Sequence, residues 1–548
     1  MDSVKTNLVG AFGSSISTLS RALSEEDIEG SGSSYRIVLP WLVLLATIFT
    51  LALSSGWIRK LAVAVLDIGA KRREKSKEVP PGSLGLPMVG DSLRYVNAYY
   101  NMTIKSYVDE KIRKYGPVFK VSLMGSPSVF LDAPAGTKIV LSHNEMKWTK
   151  GWWPKPVREL LGKHALSSQY GDEYLLHRNL VMKNFLDIDV VHQYISTMEK
   201  KAVKHIDKYW LALEDGSEVK AFKLMNVFSF SLITQLILGI SNEKDIIDFN
   251  EVFHDMAAGL MALPVNLPGF QYWRSLRSRK LINQMLNVHI EKRRQDLKAG
   301  RASPTQDLLS VLLSTPNSEG HFLTSDELCD SLLQLVFGGH DTTAAMLTLS
   351  LRLIKEDPAV YEELKQGNFL RDYELQMVRA LNAFQHATIA ASKKPGELLT
   401  KEDLWAMKYT WRVMQEVMRL YPANQVMFRE ARITFEHHGY TIPKGWKLCF
   451  TNANSSWDPK FCKDPEKFKP SRFNEDKEKM PPWIHFPFGA GHRICPGQDF
   501  ARVELLIFLH HFLRKIDWTV LVPNEKIEYR LLATPVNGTP IKITKIRC

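Results

Sequence analysis

The stretch "FPFGAGHRICPGQDFARVELL" (residues 486–506) places one cysteine, Cys495, in a glycine-rich turn that leads directly into an apolar helical pattern. Arg493 stands two residues before that cysteine. The whole chain holds 5 cysteines, which are scattered and form no CxxC pair, so they do not suit a disulfide framework and do suit a reducing compartment. A lone cysteine is often a buried structural residue, and the rest of the sequence must decide what this one does.

Composition bounds the class of protein. With 548 residues, 45% of them hydrophobic and 24% charged, the chain is able to bury a large core, which excludes a disordered protein. The net charge of +12 favours an acidic partner or an anionic membrane surface. No basic tract is interleaved with aromatic residues, which disfavours nucleic acid as the partner.

An uncharged apolar run, residues 37–58, is long enough to span a bilayer as a helix. Acidic residues dominate before it and basic residues follow it, so the sequence predicts a lumenal segment at 1–36, an anchor at 37–58 and a cytosolic body. Residues 59–90 combine the basic flank with the hinge "PPGSLGLP" (80–87), and the body follows at 91–548. The alternative for the apolar run is a buried core helix.

The body reads as mostly helical with a minor sheet. Predicted elements are helices at 196–212, 222–240, 275–298 and 325–356, and strands at 117–123 and 127–131. The longest of these helices begins with a capping box formed by Thr324 and Glu327, and Pro358 marks its end.

Two internal stretches need an explanation. "FGGHDTTAAM" (337–346) puts adjacent glycines inside the longest helix, where each costs about 1 kcal/mol relative to alanine. Such glycines indicate either that another group approaches the helix backbone closely or that the helix is locally loosened. The alternative without functional meaning is a bend that faces solvent. In "QEVMRLYP" (415–422), Glu416 and Arg419 lie on one helical face, where they are able to form an ion pair. Such pairs usually lie at the surface and contribute little stability.

Taken together, the motifs "GGHDTT" (338–343), "EVMR" (416–419), "PSRF" (470–473) and "FGAGHRICPG" (488–497) resemble those of the cytochrome P450 monooxygenases in order and spacing. The hinge and the anchor are similar to those of plant members held in the endoplasmic reticulum. The resemblance extends from residue 37 to the end. It implies a mainly α fold with a small β region, preceded by a single N-terminal transmembrane helix.

The resemblance assigns the opening cysteine a role. Cys495 is expected to be the thiolate axial ligand of heme b, with electrons supplied by NADPH through a separate reductase. Gly489, Gly491 and Gly497 are expected to bring the backbone close to the porphyrin and to point N–H groups at the sulfur. Phe488, Gly338 and Gly339 are further expected cofactor contacts, because they match the same motifs.

Arg178, Arg429 and Arg493 resemble the arginines that hold the haem propionates, because guanidinium groups suit carboxylates. The family usually carries tryptophan four residues before the first of these arginines, and this chain has Tyr174, whose hydroxyl is still able to donate a hydrogen bond.

Further residues match the acid–alcohol pair and a buried ion-pair network of the family. Asp341 and Thr342 are expected to supply protons and hold ordered water on the distal side of the cofactor. Glu416, Arg419 and Arg472 are expected to stabilise the fold and to take no part in the chemistry.

The resemblance implies a haem-thiolate monooxygenase that inserts one atom of O₂ into a hydrophobic polycyclic isoprenoid, a terpenoid or a steroid. Agreement with the plant clan that oxidises such compounds is strongest at 263–270, 404–422 and 439–448. The alternatives are an oxygen-independent isomerase or dehydratase of the same fold, which usually lacks the acid–alcohol pair, and a non-catalytic haem-binding protein, which NADPH-dependent turnover would exclude. Residues 368–388 read as an insertion, either a surface loop or a mispredicted gene segment.

Overall fold

The computed structural model describes residues 79–85, 90–142, 145–317, 319–365, 385–474, 480–529 and 532–546. The predicted lumenal segment and anchor, and most of the basic flank, lie outside these residues, as does the predicted insertion up to residue 384. Among the described residues, 79–265 and 274–546 form one compact unit, and 266–273 fall outside that unit.

Helices make up most of the described chain. They are α1 (Ser92–Tyr100), α2 (Ile104–Tyr115), α3 (Ala135–Leu141), α4 (Glu145–Trp148), α5 (Lys155–Leu161), α6 (Gly171–Val181), α7 (Ile188–Gln193), α8 (Ile195–Ile206), α9 (Ala221–Leu238), α10 (Glu243–Ala257), α11 (Gln271–Lys298), α12 (Leu308–Ser314), α13 (Ser325–Glu356), α14 (Pro358–Lys365), α15 (Gln385–Ser392), α16 (Lys401–Ala406), α17 (Lys408–Leu420), α18 (Asn452–Ser456) and α19 (Gln498–Lys515).

The strands are short. They are β1 (Phe119–Leu123), β2 (Ser126–Phe130), β3 (Thr149–Gly151), β4 (Glu218–Lys220), β5 (Met427–Ala431), β6 (Phe435–His437), β7 (Tyr440–Ile442), β8 (Lys447–Phe450), β9 (Ile516–Val520), β10 (Ile527–Tyr529), β11 (Ala533–Pro535) and β12 (Pro540–Lys545). The largest sheet has the order β1-β2-β8-β5-β3, and its β2–β8 pair is parallel. The predicted mainly helical fold with a small β region is confirmed.

The predicted longest helix is confirmed as α13, and its capping box is present. The Thr324 backbone N–H donates to the Glu327 carboxylate at 2.8 Å, and the Glu327 N–H donates to the Thr324 hydroxyl at 3.3 Å. These bonds satisfy backbone donors that the first helical turn leaves without partners. The helix ends at Glu356, ahead of Pro358, as the sequence predicts.

Helix α9 packs along α13 in the interior. Its sequence is apolar around nearly its whole circumference. Among the described residues, it is the one helix that is long and apolar enough to cross a membrane. Yet 72% of that apolar window is buried inside the protein, as expected for a central helix. Burial of α9 against α13 fixes the middle of α13, where the polar motif lies.

The start of the predicted hinge is part of the sheet region. The Pro81 carbonyl accepts a hydrogen bond from the Lys120 N–H at 2.8 Å, and Gly82 forms a parallel bridge with Lys120 of β1. A side chain at Gly82 would place Cβ only 2.1 Å from the Lys120 carbonyl oxygen, so the pairing requires glycine.

Candidate active site

The turn that carries Cys495 is closed by its own backbone. The Cys495 N–H donates to the Phe488 carbonyl at 2.8 Å, which ties the two ends of the glycine-rich stretch together. Gly489 and Gly491 have φ values of +73° and +69°, where residues with a side chain are strained. A Cβ at Gly491 would also lie 2.5 Å from the Leu141 carbonyl oxygen at the end of α3. The motif glycines at 489 and 491 are therefore required by the turn and by its contact with α3.

The thiol of Cys495 is accessible, whereas the other cysteines in the described part of the chain, Cys329, Cys449 and Cys462, are buried. Burial nevertheless raises the pKa of the Cys495 thiol. A hydrogen bond from the Gly497 backbone and the charge of Arg178 act in the opposite direction and lower this pKa. Cys495 is thus the exposed cysteine among the described residues, and the Gly497 N–H and Arg178 partly offset the effect of burial on its ionisation.

Tyr174 joins two of the predicted cofactor-binding arginines beside this turn. Its hydroxyl donates to the His492 carbonyl at 2.8 Å and accepts a bond from Arg178 Nη1 at 3.3 Å. The guanidinium carbon of Arg493 lies 4.1 Å from the centre of the Tyr174 ring. The tyrosine that replaces the usual tryptophan thus holds α6 against the cysteine turn, and its hydroxyl proton goes to a protein carbonyl.

The third arginine, Arg429, reaches the same place from the sheet. It pairs with Gly151 across strands β5 and β3, and a Cβ at Gly151 would lie 2.7 Å from Arg493 Nη1. Arg429 donates to the Phe428 carbonyl at 3.0 Å, and Arg493 donates to the Gln169 carbonyl at 2.7 Å. Three cations from α6, β5 and the cysteine turn thus converge, and the acceptors of these bonds are neutral oxygens.

The two glycines of α13 have different surroundings. A Cβ at Gly339 would lie 2.8 Å from Cδ1 of Ile233, so glycine is needed there for the close packing of α13 against α9. A Cβ at Gly338 would meet no atom within 4 Å, so this residue faces open space. Helix α13 runs without interruption through both glycines. Of the two explanations that the sequence suggested for them, a locally loosened helix is therefore not observed.

Asp341 and Thr342 are adjacent on α13 but have different partners. The Asp341 side chain is 15% exposed and accepts a hydrogen bond from Asn226 Nδ2 of α9 at 3.1 Å. Burial raises the pKa of the Asp341 carboxyl, a condition that suits a proton donor near neutral pH. The Thr342 hydroxyl donates to the Gly338 carbonyl at 2.7 Å, on the side of α13 where Gly338 faces open space.

Sequence reasoning missed the polar residues that surround Asp341. Asn226 and His254 reach it from α9 and α10, and the fully buried His340 places Nε2 3.4 Å from its carboxylate. The available signal was weak, because each residue stands alone in a helix with an otherwise ordinary pattern. Contact between three helices is visible only in the tertiary structure.

Glu504 of α19 was also missed. It is 1% exposed, and burial raises the pKa of its carboxyl well above the usual range, which favours the neutral form. Thr343 faces it from α13, but the Thr343 hydroxyl donates to the Gly339 carbonyl at 3.2 Å. An acid within the apolar run "VELLIFL" (503–509) was the signal that could have identified it.

Glu416 and Arg419 form a fully buried bidentate ion pair with both hydrogen bonds at 2.8 Å. Arg472 donates to Glu416 at 3.2 Å, so the expected three-residue network is present. Arg419 also donates to the carbonyls of Pro465 and Lys467, which ties the segment before the 3₁₀ turn at Pro470–Phe473 to α17. The alternative of an exposed surface pair is wrong, because neither side chain reaches solvent.

The sequence from residue 80 to residue 540 matches the family described as Cytochrome P450. The chain belongs to the cytochrome P450 family. This cytochrome P450 is an enzyme of the monooxygenase type, and membership implies a haem–thiolate cofactor, a redox partner and a hydrophobic substrate. The residues present fit that cofactor: the accessible thiol receives a backbone N–H bond, and three permanent cations converge beside it, where the carboxylates of a haem require them.

The most informative relatives are plant hydroxylases. The chain is 35% identical to a taxane 13-alpha-hydroxylase of Taxus cuspidata, over 86% of this chain and 93% of that protein. It is 33% identical to a beta-amyrin 28-monooxygenase of Kalopanax septemlobus, over 85% of this chain and 92% of that protein. Among solved structures, the retinoic acid-bound cyanobacterial CYP120A1 matches with a TM-score of 0.73 and 26% identity, over 86% of this chain and 99% of that one.

Proposed function

We propose that this cytochrome P450 hydroxylates a polycyclic isoprenoid, a terpenoid or a steroid, with Cys495 as the thiolate ligand of its haem. The observation that carries the proposal is the environment of that sulfur. It is the accessible cysteine of the described chain, it receives a hydrogen bond from the Gly497 backbone, and Arg178 lies close enough to act on its charge. Each feature favours a thiolate that faces a bound group.

The cofactor supplies the chemistry when it is bound, since haem iron with a thiolate ligand activates O₂. The chain's own residues do the rest. Arg178, Arg429 and Arg493 would hold the propionate carboxylates through their planar guanidinium groups. Phe488 helps to fix the cysteine turn, because its carbonyl accepts the Cys495 N–H.

We assign Asp341 and Thr342 to the supply of protons and the positioning of water on the distal side of the cofactor. A neutral carboxyl at Asp341, favoured by its raised pKa, donates a proton into the pocket and is then recharged. Thr342 presents a hydroxyl beside the open space at Gly338, where it orients a water molecule. The adjacent Gly338 leaves room for substrate and O₂, because no side chain fills that space.

The substrate class rests on the relatives. Their names specify a taxane, taxoids and beta-amyrin as the compounds hydroxylated. The stretches 147–158, 263–270, 423–428 and 533–539, which we expect from the resemblance to line the pocket, are largely apolar with a few hydrogen-bonding groups. Lys155 and Arg158 are exposed, and Lys155 lies 3.7 Å from Glu159, so a charge pair with an anionic substrate is not required.

We further propose an NADPH–cytochrome P450 reductase as the electron donor and the endoplasmic reticulum membrane as the location, with the haem domain on the cytosolic side. The sequence carries no flavin or dinucleotide motif of its own, so electrons come from a partner. The net charge of +12 favours an acidic flavodomain on the basic surface beside the cysteine turn. The apolar run at 37–58 supplies the anchor.

The test is co-expression with a plant reductase in hosts that make diterpene, triterpene or sterol skeletons, followed by a search for products heavier by one oxygen. The matched control is Cys329→Ala, which removes a buried cysteine of α13 and is expected to retain the product. Cys495→His is expected to bind some haem but form no product, because the thiolate is lost. Efficient oxidation of a fatty acid instead, with no isoprenoid product, would show the substrate class to be wrong.

A further inference from the structure

Asp341 is connected to the polar face of α10 through one side chain. Asn226 of α9 donates from Nδ2 to the Asp341 carboxylate at 3.1 Å, and its Oδ1 lies 3.2 Å from Nε2 of His254 on α10. A primary amide has a donor end and an acceptor end, so this contact sets His254 in the form that carries its proton on Nε2. Asn226 therefore holds the histidine and the acid in a fixed relation.

His254 lies between the core and solvent. On α10, the exposed positions Asp248, Glu251 and Asp255 form one polar face, and His254 is exposed at the edge of that face. Its Nδ1 makes no hydrogen bond to any of the described residues, which leaves this nitrogen to exchange protons with water. The same ring stacks edge-on against the fully buried His340, with ring centres 5.4 Å apart.

We propose that His254 passes protons from solvent to Asp341, with Asn226 as the positioning residue that holds the two side chains together. One ring nitrogen of His254 lies within 4.8 Å of an Asp341 carboxylate oxygen, a separation that one water molecule bridges. This inference deepens the proposed function, since it rests on the role of Asp341 as proton donor to the cofactor pocket.

The transfer balances without any further reactant. A proton from solvent binds Nδ1 of His254 and makes the ring an imidazolium. The Nε2–H bond then breaks as an O–H bond forms on the Asp341 carboxylate through the bridging water, which leaves the ring neutral with its proton on Nδ1. Loss of that proton to water and uptake of another at Nε2 restore the Nε2–H form. After Asp341 gives its proton to the pocket, the same sequence recharges it.

The groups around His254 favour this exchange. Burial and His340 lower the pKa of His254, whereas the charges of Asp341 and Asp255 raise it, and burial is the largest cause. Burial raises the pKa of Asp341, and the nearby His254 lowers it. The two pKa values are thus shifted toward each other, which reduces the free-energy difference for proton transfer between the two groups.

His340 does not compete as the relay. It is fully buried, its ring nitrogens make no hydrogen bond, and burial lowers its pKa to about 3, so it stays neutral. Phe230 and Phe253 pack edge-on against it at 4.8 Å and 5.5 Å between ring centres. His340 closes the apolar side of the cluster, and the route for protons runs on the side of His254.

The test compares His254→Gln, which keeps a hydrogen-bonding side chain but has no titratable group, with His254→Lys, which restores one. The matched control is Glu251→Gln, one turn earlier on the exposed face of α10 and without contact to Asn226. Turnover is measured with the reductase and the skeleton that gives product in the co-expression panel. A well-placed proton-transfer group contributes about 10²–10⁴-fold, and partial access of water to Asp341 reduces the expected loss for His254→Gln to about tenfold.

The readouts separate a relay from a structural role. His254→Gln is expected to raise the solvent deuterium isotope effect on turnover and to steepen the fall in rate with rising pH, and His254→Lys to reverse part of both changes. Glu251→Gln should match wild type. Independently of turnover, deuterium exchange at the ring C2–H of each histidine reports its pKa by mass spectrometry. Asp341→Asn is expected to lower the midpoint for His254, because the charge that raises it is removed.

The outcomes distinguish this inference from the proposed function. If Asp341→Asn slows turnover but His254→Gln behaves like Glu251→Gln in rate, isotope effect and pH profile, the relay is wrong and the role of Asp341 stands. If Asp341→Asn leaves turnover unchanged, the role of Asp341 itself fails. A His254 midpoint that is indifferent to Asp341→Asn would also overturn the relay, because it would show that the two groups are not coupled.

Discussion

The adjacent glycines of α13 allow a prediction with an internal control, because alanine at the two positions meets different surroundings. At Gly338 the new methyl group meets no atom within 4 Å, so only the helix propensity changes. That change should raise the free energy of unfolding of Gly338→Ala by about 1 kcal/mol. The methyl group would occupy the open space that Gly338 faces, so if this space receives the substrate as proposed, the cost of the variant is expected in substrate binding.

At Gly339 the same gain is opposed by a clash. The new Cβ would lie 2.8 Å from Cδ1 and 3.0 Å from Cγ1 of Ile233, which is itself 3% exposed on α9. Overpacking of this kind costs about 1–3 kcal/mol. Against a propensity gain of about 1 kcal/mol, Gly339→Ala should lower the free energy of unfolding by about 0–2 kcal/mol. The two alanine variants are thus expected to differ by about 1–3 kcal/mol.

A double-mutant cycle with Ile233→Val isolates the clash. Alone, Ile233→Val should cost about 0.5–1.5 kcal/mol, because it removes a buried methyl group. In the Gly339→Ala background it should cost less or even stabilise, since it removes the atom that the new methyl group strikes, with a coupling of about 1 kcal/mol. Urea unfolding followed by far-ultraviolet circular dichroism measures all these variants. If Gly339→Ala is as stable as Gly338→Ala and the coupling is zero, the close approach of α9 and α13 is wrongly described.

Thr342→Val, which keeps the shape but removes the hydroxyl, should release NADPH-derived electrons as hydrogen peroxide and lower the product formed per NADPH by about tenfold; the ratio of peroxide to product checks this. Arg419→Met should lower the free energy of unfolding by about 3–5 kcal/mol, because Glu416 is left as an uncompensated buried charge, and adding Glu416→Gln should recover part of the loss in urea unfolding. Protein lacking residues 1–78 should be more soluble and still bind haem, which absorbance spectra would show, whereas loss of the folded haem protein would place that segment in the core. At 0.1 M salt the screening length is about 10 Å, so a much higher salt concentration should weaken the affinity for the reductase, measured from initial rates. An affinity that does not change with salt would exclude docking through exposed charges.

Local sequence determined much of this protein. The bounds of α13 follow from a capping box and a proline, whose effects act within one helical turn, so 325–356 was predicted as observed. The cysteine turn follows from glycines at positive φ, and the motifs at 338–343, 416–419, 470–473 and 488–497 indicated the family that the comparison then gave.

Contacts between distant segments were decided by the tertiary structure alone. The sequence placed glycine at 338 and 339 but gave no reason to separate them, since only the packing of Ile233 distinguishes a helix contact from open space. The spacing of Glu416 and Arg419 alone left a surface role open, because a short-range pattern carries no information on burial; the resemblance to the family indicated the buried network that the structure shows. Asn226, His254 and Asp341 come from three helices, and their chain of hydrogen bonds exists only once α9, α10 and α13 pack together. Helix caps and turns depend on neighbours in the chain, whereas burial and proton pathways depend on neighbours in space, and only folding brings those together.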